Sequence, residues 1–389
     1  STSRQYRQLQ ALYFLAGLSA STWGRFSTIY YLSPPPPLPH QGVIEGSMVV
    51  TKLFSGMLWG VVADWIRSQK RVALGTRLCS TTILMLFAFP AVAKGFYRIL
   101  IISIATCFFS SAGVLDSYAL DMLGKDKAKY GRIRLFMAAS WGGGAALMGI
   151  ATDQLHSFTP NFLAFLVFGL ASITFMACVI PDRNHLEKKM KGAKLEFRKL
   201  VVLCKPPVLL FLLEVTVMGV GLGVVERLLF IFLQNDLGAN TTLCGLVVLV
   251  TVLLELPLFF YSDRIHKAIG HDGMFITAMV AYVVRVVGYT YLTPSTKYYI
   301  FVCELTHGLT ISLAWVATVN YARNIAPPEL RTTLFTIVSL FSQCVGTGGG
   351  AVLGGWIFEH KGAVFLYRGA AAMVGSCLVL HVFLVVLFK

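Results

Sequence analysis

Asp116, Arg134 and Trp141 stand inside stretches of sequence apolar enough for lipid. Residues 98–123 hold Asp116; residues 131–152 open with Gly131-Arg132-Ile133-Arg134 and reach Trp141. A lone charge at the centre of a bilayer costs at least about 2.5 kcal/mol. Such groups persist where they face a protein interior, pair with one another, or touch a polar solute. A carboxylate and a guanidinium together offer charge-assisted, bidentate hydrogen bonds to a polyol. An indole covers the apolar face of a sugar ring or a base. The chemistry on offer is therefore recognition of a small polar solute. The competing reading is a structural Asp116–Arg134 salt bridge with Trp141 as packing.

The elements that must hold these residues are helices in a membrane. The chain has 389 residues, 56% of them hydrophobic and only 13% charged. Its mean hydropathy is +0.71. A soluble domain carries charge on about a quarter of its residues. The apolar residues come in blocks of roughly 20, the length that spans about 30 Å of hydrocarbon as a helix. Twelve spans are expected, at 9–31, 43–63, 72–93, 98–123, 131–152, 161–180, 206–234, 242–262, 273–293, 298–322, 332–357 and 363–388. The fold class is thus an all-α, multi-pass membrane protein.

The net charge of +15 is distributed by topology. Alternate connections are basic: Arg4 and Arg7; Arg67, Lys70 and Arg71; Lys125, Lys127 and Lys129; Arg183 through Lys205; Arg264 and Lys267; Arg323 and Arg331. The others hold little beyond Lys94, Arg98, Lys297, Lys361 and Arg368. By the positive-inside rule the basic set, both termini included, is cytoplasmic, or on the equivalent side of an organellar membrane. Lipid is the partner this implies, and nucleic acid is not. The eight cysteines are scattered singly, without metal-ligand or disulfide-framework spacing. No nucleophile elbow, P-loop or metal cluster is present, so neither an enzyme nor a cofactor is indicated. Ser1 to Gln10 is basic and polar, and reads as the remnant of a longer N-terminus.

Residues 181–205 are the longest polar stretch and divide the spans six and six. They are expected to be a solvated linker between bundles at 1–180 and 206–389. The run Pro34 to Pro37 with Pro39 favours a stiff polyproline connector. The halves echo each other: Asp64 to Arg67 follows the second span, and Asp263-Arg264 follows the eighth. Gly346, Gly350 and Gly354 fall on one helix face, where helices pack closely. Six plus six spans with weak internal symmetry fit a two-bundle transporter with its site between repeats.

The run Gly60-x-x-x-Asp64-x-x-Arg67 with Lys70-Arg71 resembles the signature between the second and third helices of the major facilitator superfamily, with Trp65 where a basic residue is usual. The resemblance implies a fold of two pseudo-symmetric six-helix bundles. It also implies a cytoplasmic latch built on Gly60, Asp64, Arg67 and Arg71. Val114-Leu115-Asp116-Ser117, Tyr130 to Arg134 and Trp141-Gly142 narrow the likeness to the lactose-permease and nucleoside:proton-symporter branch. It looks closest to that branch's eukaryotic relatives. Glu304-Leu305-Thr306-His307-Gly308 and Val284 to Tyr289 extend the match through the second half.

In that branch an acid of the fourth helix and an arginine of the fifth hold sugar hydroxyls, and a tryptophan stacks on the ring. Asp116, Arg134 and Trp141 match these positions, with Asp116 one methylene shorter than the usual glutamate. Arg285 and His307 match the proton-coupling arginine and histidine. The acid expected three residues after the histidine is replaced by Thr310, and Glu304 lies three residues before it. Glu304 is the expected proton carrier, with His307 as partner and Arg285 as counter-charge. Glu226 resembles a charged position of the seventh helix, whose basic partner is replaced by Ser342. Glu255 and Arg25 are further candidates; Arg25 either reads an anionic substrate or pairs with Glu226 or Glu255. Lys52 and Glu214 are other intramembrane charges. The expected activity is proton-coupled, alternating-access transport of a sugar or nucleoside-like solute. The alternatives are an organic-anion carrier and a transport-inactive receptor or membrane-complex subunit.

Overall fold

A computed structural model describes residues 2–24, 26–32, 41–66, 68–89, 96–109, 112–123, 130–180, 206–325, 334 and 337–387. Among these, all regular structure is helical. Nine helices among the described residues are long and apolar enough to cross a membrane. The expected linker at 181–205, the proline run, Arg25 and Arg67 lie outside the described residues.

The chain forms two compact units, one of residues 1–188 with 239–252, the other of 189–238 with 253–389. The first contains α1 (Thr2–Trp23), α2 (Phe26–Leu32), α3 (Gln41–Ile66), α4 (Gln69–Met85), α5 (Phe96–Phe109), α6 (Ala112–Leu123), α7 (Tyr130–Leu155) and α8 (Thr159–Val179). Residues 96–109 and 112–123, which fall in the span expected at 98–123, are helical. The first expected span divides at the turn residue Gly24 into α1 and α2.

Leu9, Leu12, Tyr13 and Ala16 recur at helical spacing and are buried. That stripe seats α1 between α7 and α8. Its neighbours in the core are Ala119, Ile133 and Met176. A second core, of Leu84, Phe87, Ile102, Phe162 and Phe165, fills the other end. Trp23 stacks on Phe87 there, with ring centroids 5.8 Å apart. Outward-facing Leu147, Leu163 and Val167 are more than half exposed, which suits hydrocarbon rather than water.

The first unit also takes the start of α10 (Thr241–Phe260). Asp153, near the end of α7, accepts backbone N–H groups from Thr241 at 2.9 Å and Thr242 at 2.7 Å, and also the Thr241 hydroxyl. A carboxylate satisfies orphan N–H groups and complements the positive end of the helix dipole. Gly149 and Gly245 let the two backbones meet, since a Cβ at either would strike the facing main chain.

The second unit holds α9 (Pro206–Ile231), the rest of α10, α11 (Ser262–Tyr289), α12 (Ile300–Ile325), α13 (Gly349–Lys361) and α14 (Ala363–Leu387). Two prolines open α9, where a missing N–H costs nothing. Leu340–Gly348 winds as a π-helix ahead of α13. Against it and α13, α9 packs through glycines. A Cβ on Gly219 or Gly223 would strike the backbone at Ser342 or Thr347, and one on Gly350 would strike Val220. The small-residue face expected from Gly346, Gly350 and Gly354 therefore lies against α9, at Gly219, Val220 and the Val224 and Leu228 side chains. Gly270 breaks α11 with φ of +67°. The continuing helix from His271 packs against α12 and α14.

Candidate functional site

In the first unit, α6 and α7 bring Asp116 and Arg134 together. Arg134 Nη1 donates to Asp116 Oδ2 at 3.0 Å. Tyr13 of α1, itself buried, donates its hydroxyl to Asp116 Oδ1 at 2.6 Å. One carboxylate thus receives a donor on each oxygen, which fixes its orientation. The Asp116 and Arg134 side chains are nevertheless 30% and 52% exposed. Trp141 follows Arg134 by seven residues, close to two full turns, so it rises from the same face about 10 Å further along α7. It is half-buried, and Gly24 makes room for it: a Cβ there would lie 2.5 Å from the indole edge. Tyr13 carries no sequence signal beyond a hydroxyl in an apolar run. Arg77 of α4 is another intramembrane cation that sequence reasoning passed over; its Nη1 donates to Ser172 Oγ at 2.9 Å.

The second unit brings Arg285, His307 and Glu304 together, each almost wholly buried. Antiparallel packing of α11 and α12 sets Arg285 opposite His307 and Tyr289 opposite Glu304. Arg285 Nη1 contacts His307 Nδ1. A guanidinium only donates, so this contact leaves the accepting role to Nδ1. Tyr289 donates its hydroxyl to Glu304 Oε1. Tyr282 lies under the Arg285 guanidinium at 5.4 Å and donates its hydroxyl to the Gly221 carbonyl at 2.9 Å. Arg285 Nε and Nη2, Glu304 Oε2 and the Tyr367 hydroxyl are buried with no hydrogen-bond partner among the described residues. Thr310, where an acid was expected, donates its hydroxyl to the Thr306 carbonyl at 3.0 Å on its own helix. Tyr289 could have been found from its spacing, one helical turn after Arg285.

The remaining candidates are more dispersed. Glu226 is half-buried on α9, near enough for its charge to be felt at Arg285. Glu255 is half-buried on α10, and its backbone carbonyl accepts the Ser312 hydroxyl at 3.4 Å. Gly60 and Asp64 lie in the last two turns of α3. Arg71 is exposed in the first turn of α4, and its N–H is capped by Ser68 Oγ at 3.2 Å. The neighbouring lysine does more: Lys70 Nζ is buried and donates to the Ala177 and Ile180 carbonyls at 2.9 and 2.5 Å. An ammonium on the last carbonyls of α8 answers the negative end of that helix.

Ionised side chains bonded among helices long and apolar enough to cross a membrane mark a polytopic membrane protein. The chain belongs to the MFS_1 like family, which matches residues 6–369, and so to the major facilitator transporters. It is an integral, multi-pass membrane protein. It is 25% identical over 333 residues to the maltose permease of Geobacillus stearothermophilus, covering 83% of this chain and 80% of that one. It is 23% identical to the uncharacterized transporter YwbF of Bacillus subtilis (strain 168), covering 97% of this chain and 93% of the relative. A Xenopus laevis protein, major facilitator superfamily domain-containing protein 6-like protein B, is 22% identical over 52% of this chain and 33% of its own length. Among solved structures, the nucleoside transporter NupG superposes with a TM-score of 0.81 at 14% identity, covering 99% of both chains. A variant of NupG superposes at 0.84, covering 97% of this chain. The fold is therefore the twelve-helix major facilitator fold.

Proposed function

We propose that the protein carries a small polar solute, a sugar or nucleoside-like molecule, by proton-coupled alternating access. The two working bodies are the bundles at 1–180 and 206–389, joined by 181–205. The observation that carries this reading is the Tyr13–Asp116–Arg134 arrangement. A buried salt bridge that serves only packing has no use for accessibility, whereas this pair is fixed by a buried tyrosine yet open to a solute. Hydroxyl groups of the solute replace part of the mutual pairing, and Trp141 covers its apolar face. The similarity to maltose permease and to the NupG fold supports the same solute class. Glu226, Glu255 and Arg25 are further candidates for binding the solute.

Glu304 carries the proton. Its Oε2 has no partner among the described residues, while Oε1 holds the Tyr289 hydroxyl in either protonation state. Arg285 supplies the counter-charge when Glu304 is ionised, and His307 holds Arg285 in place. Gly60, Asp64, Arg67 and Arg71 act as the latch between states. Asp64→Asn is expected to change turnover more than substrate affinity; an affinity change alone would argue against the latch.

The decisive experiment is uptake by proteoliposomes with and without an inward proton gradient, over a panel of sugars, nucleosides and organic acids. Gradient-stimulated uptake of a neutral sugar or nucleoside is expected. A second reading, an organic-anion carrier, is favoured by the two donors of buried Arg285 that have no hydrogen-bond partner among the described residues, and predicts uptake of the acids alone. Failure of the whole panel would overturn both and favour a transport-inactive role.

A further inference from the structure

The second unit holds another ionisable cluster, which shares no residue with the Arg285 site. Glu214 stands on the third turn of α9 and His381 near the end of α14. His381 Nδ1 lies 2.6 Å from Glu214 Oε1, and both side chains are only 4% exposed. Across the ring, His381 Nε2 faces Asp272 Oδ1 at 4.0 Å. His271 Nε2 lies 2.8 Å from that same oxygen. His271 and Asp272 open the continuing part of α11 just after the break at Gly270. Both are more than a third exposed, so the series runs from a sealed acid to an accessible imidazole.

The charge balance of this series is incomplete without a mobile proton. With neutral His381 donating through Nδ1, Glu214 stays ionised and the pair is a buried net negative charge. The effective cost of a buried ion is several kcal/mol unless a partner compensates it. Among the described residues no lysine or arginine makes an ion pair with Glu214, His381 or Asp272. A second ring proton makes the pair neutral. It would sit on Nε2, which is buried and without a hydrogen bond among the described residues, and would point at the Asp272 carboxylate. The 4.0 Å separation closes by a small side-chain rotation or through one bridging water. Asp272 gains from its place at the start of a helix, where a carboxylate is favoured. The other titratable groups facing the pair are Tyr321 of α12, which packs on His271 with ring centroids 4.6 Å apart, and Cys377, one turn before His381 on α14. Neither supplies a positive charge.

We propose that Glu214 and His381 form a second proton-binding site, separate from Glu304. It is loaded from the side where α11 begins, through His271 and Asp272 onto His381 Nε2. Loading moves one proton from water to the imidazole and breaks no other bond. The loaded ring ties α9, α11 and α14 through two carboxylates; the empty ring ties only α9 and α14. This site needs no transported solute, so it stands or falls apart from the transport reading.

The test is nitrogen NMR of the full-length protein labelled with 15N-histidine, purified in detergent and titrated from pH 5 to 9. The ring of His381 is identified as the signal lost in His381→Gln. Should that variant fail to fold, Glu214→Gln identifies the ring by its displaced signal. The expected result is a ring that passes from two protonated nitrogens to one within this range. Its midpoint should move by at least about half a pH unit in Asp272→Asn, on the scale that a neighbouring charge sets. A His381 ring that keeps one protonation state from pH 5 to 9 would overturn the site. A midpoint untouched by Asp272→Asn would overturn the loading route.

Discussion

Arg134 and Arg285 stand one in each unit, each beside an acid-bearing helix, and their surroundings differ. Arg134 meets Asp116 directly, and half of its side chain stays accessible. Arg285 is fully buried and meets His307, while the nearby Glu304 takes its hydrogen bond from Tyr289. In the first unit a tyrosine steadies an acid that can still reach a solute. In the second, a tyrosine holds an acid that is wholly buried. On the proposed reading, the open pair serves solute recognition and the sealed one proton chemistry.

The comparison breaks most visibly at the arginine of the open pair. Arg134→Ala removes a charge-assisted contact worth about 3 kcal/mol. Uptake at subsaturating solute should fall by about a hundredfold. A loss under threefold would return Asp116–Arg134 to a structural role. Next comes Glu304→Gln, which should abolish gradient-driven accumulation in proteoliposomes yet spare solute exchange at equal concentrations. Unchanged uphill uptake would remove Glu304 as carrier.

Paired tyrosine variants then sharpen the contrast by thermal unfolding. Tyr289→Phe strands a carboxylate oxygen in a sealed site and should destabilise by about 1–3 kcal/mol. Tyr13→Phe leaves Asp116 within reach of water and should cost less, about 1 kcal/mol. Equal losses would erase the distinction between open and sealed. The smallest effect belongs to Gly24→Ala, whose methyl would push Trp141 aside. It should weaken solute affinity several-fold and leave the Glu304 proton step intact.

Much of this was legible because charges in apolar runs are conspicuous. Asp116, Arg134, Arg285, His307 and Glu304 announce themselves against lipid. The glycine face of 346–354 announces itself by spacing. Tyrosine does not, being ordinary at membrane depth, so Tyr13 and Tyr289 passed unnoticed although they orient both acids. Lys70 was read as topological charge because a sequence does not reveal which carbonyls a lysine will meet. His381 sits in an apolar stretch whose acid partner is 167 residues away.

The helix α10 begins in one unit and ends in the other. Its first turn is clasped by the Asp153 carboxylate, and its later part carries Pro257, which deprives Leu253 of a backbone hydrogen bond. Mechanically it is a strut with one end clamped and a soft joint beyond the clamp. Strain on α10 has two outlets, slipping the clamp or flexing the joint. The clamp resists with hydrogen bonds to a charged group, worth roughly 1.5–3 kcal/mol each, while the joint is already missing one bond. Under load α10 should therefore bend near Pro257 before Asp153 lets go.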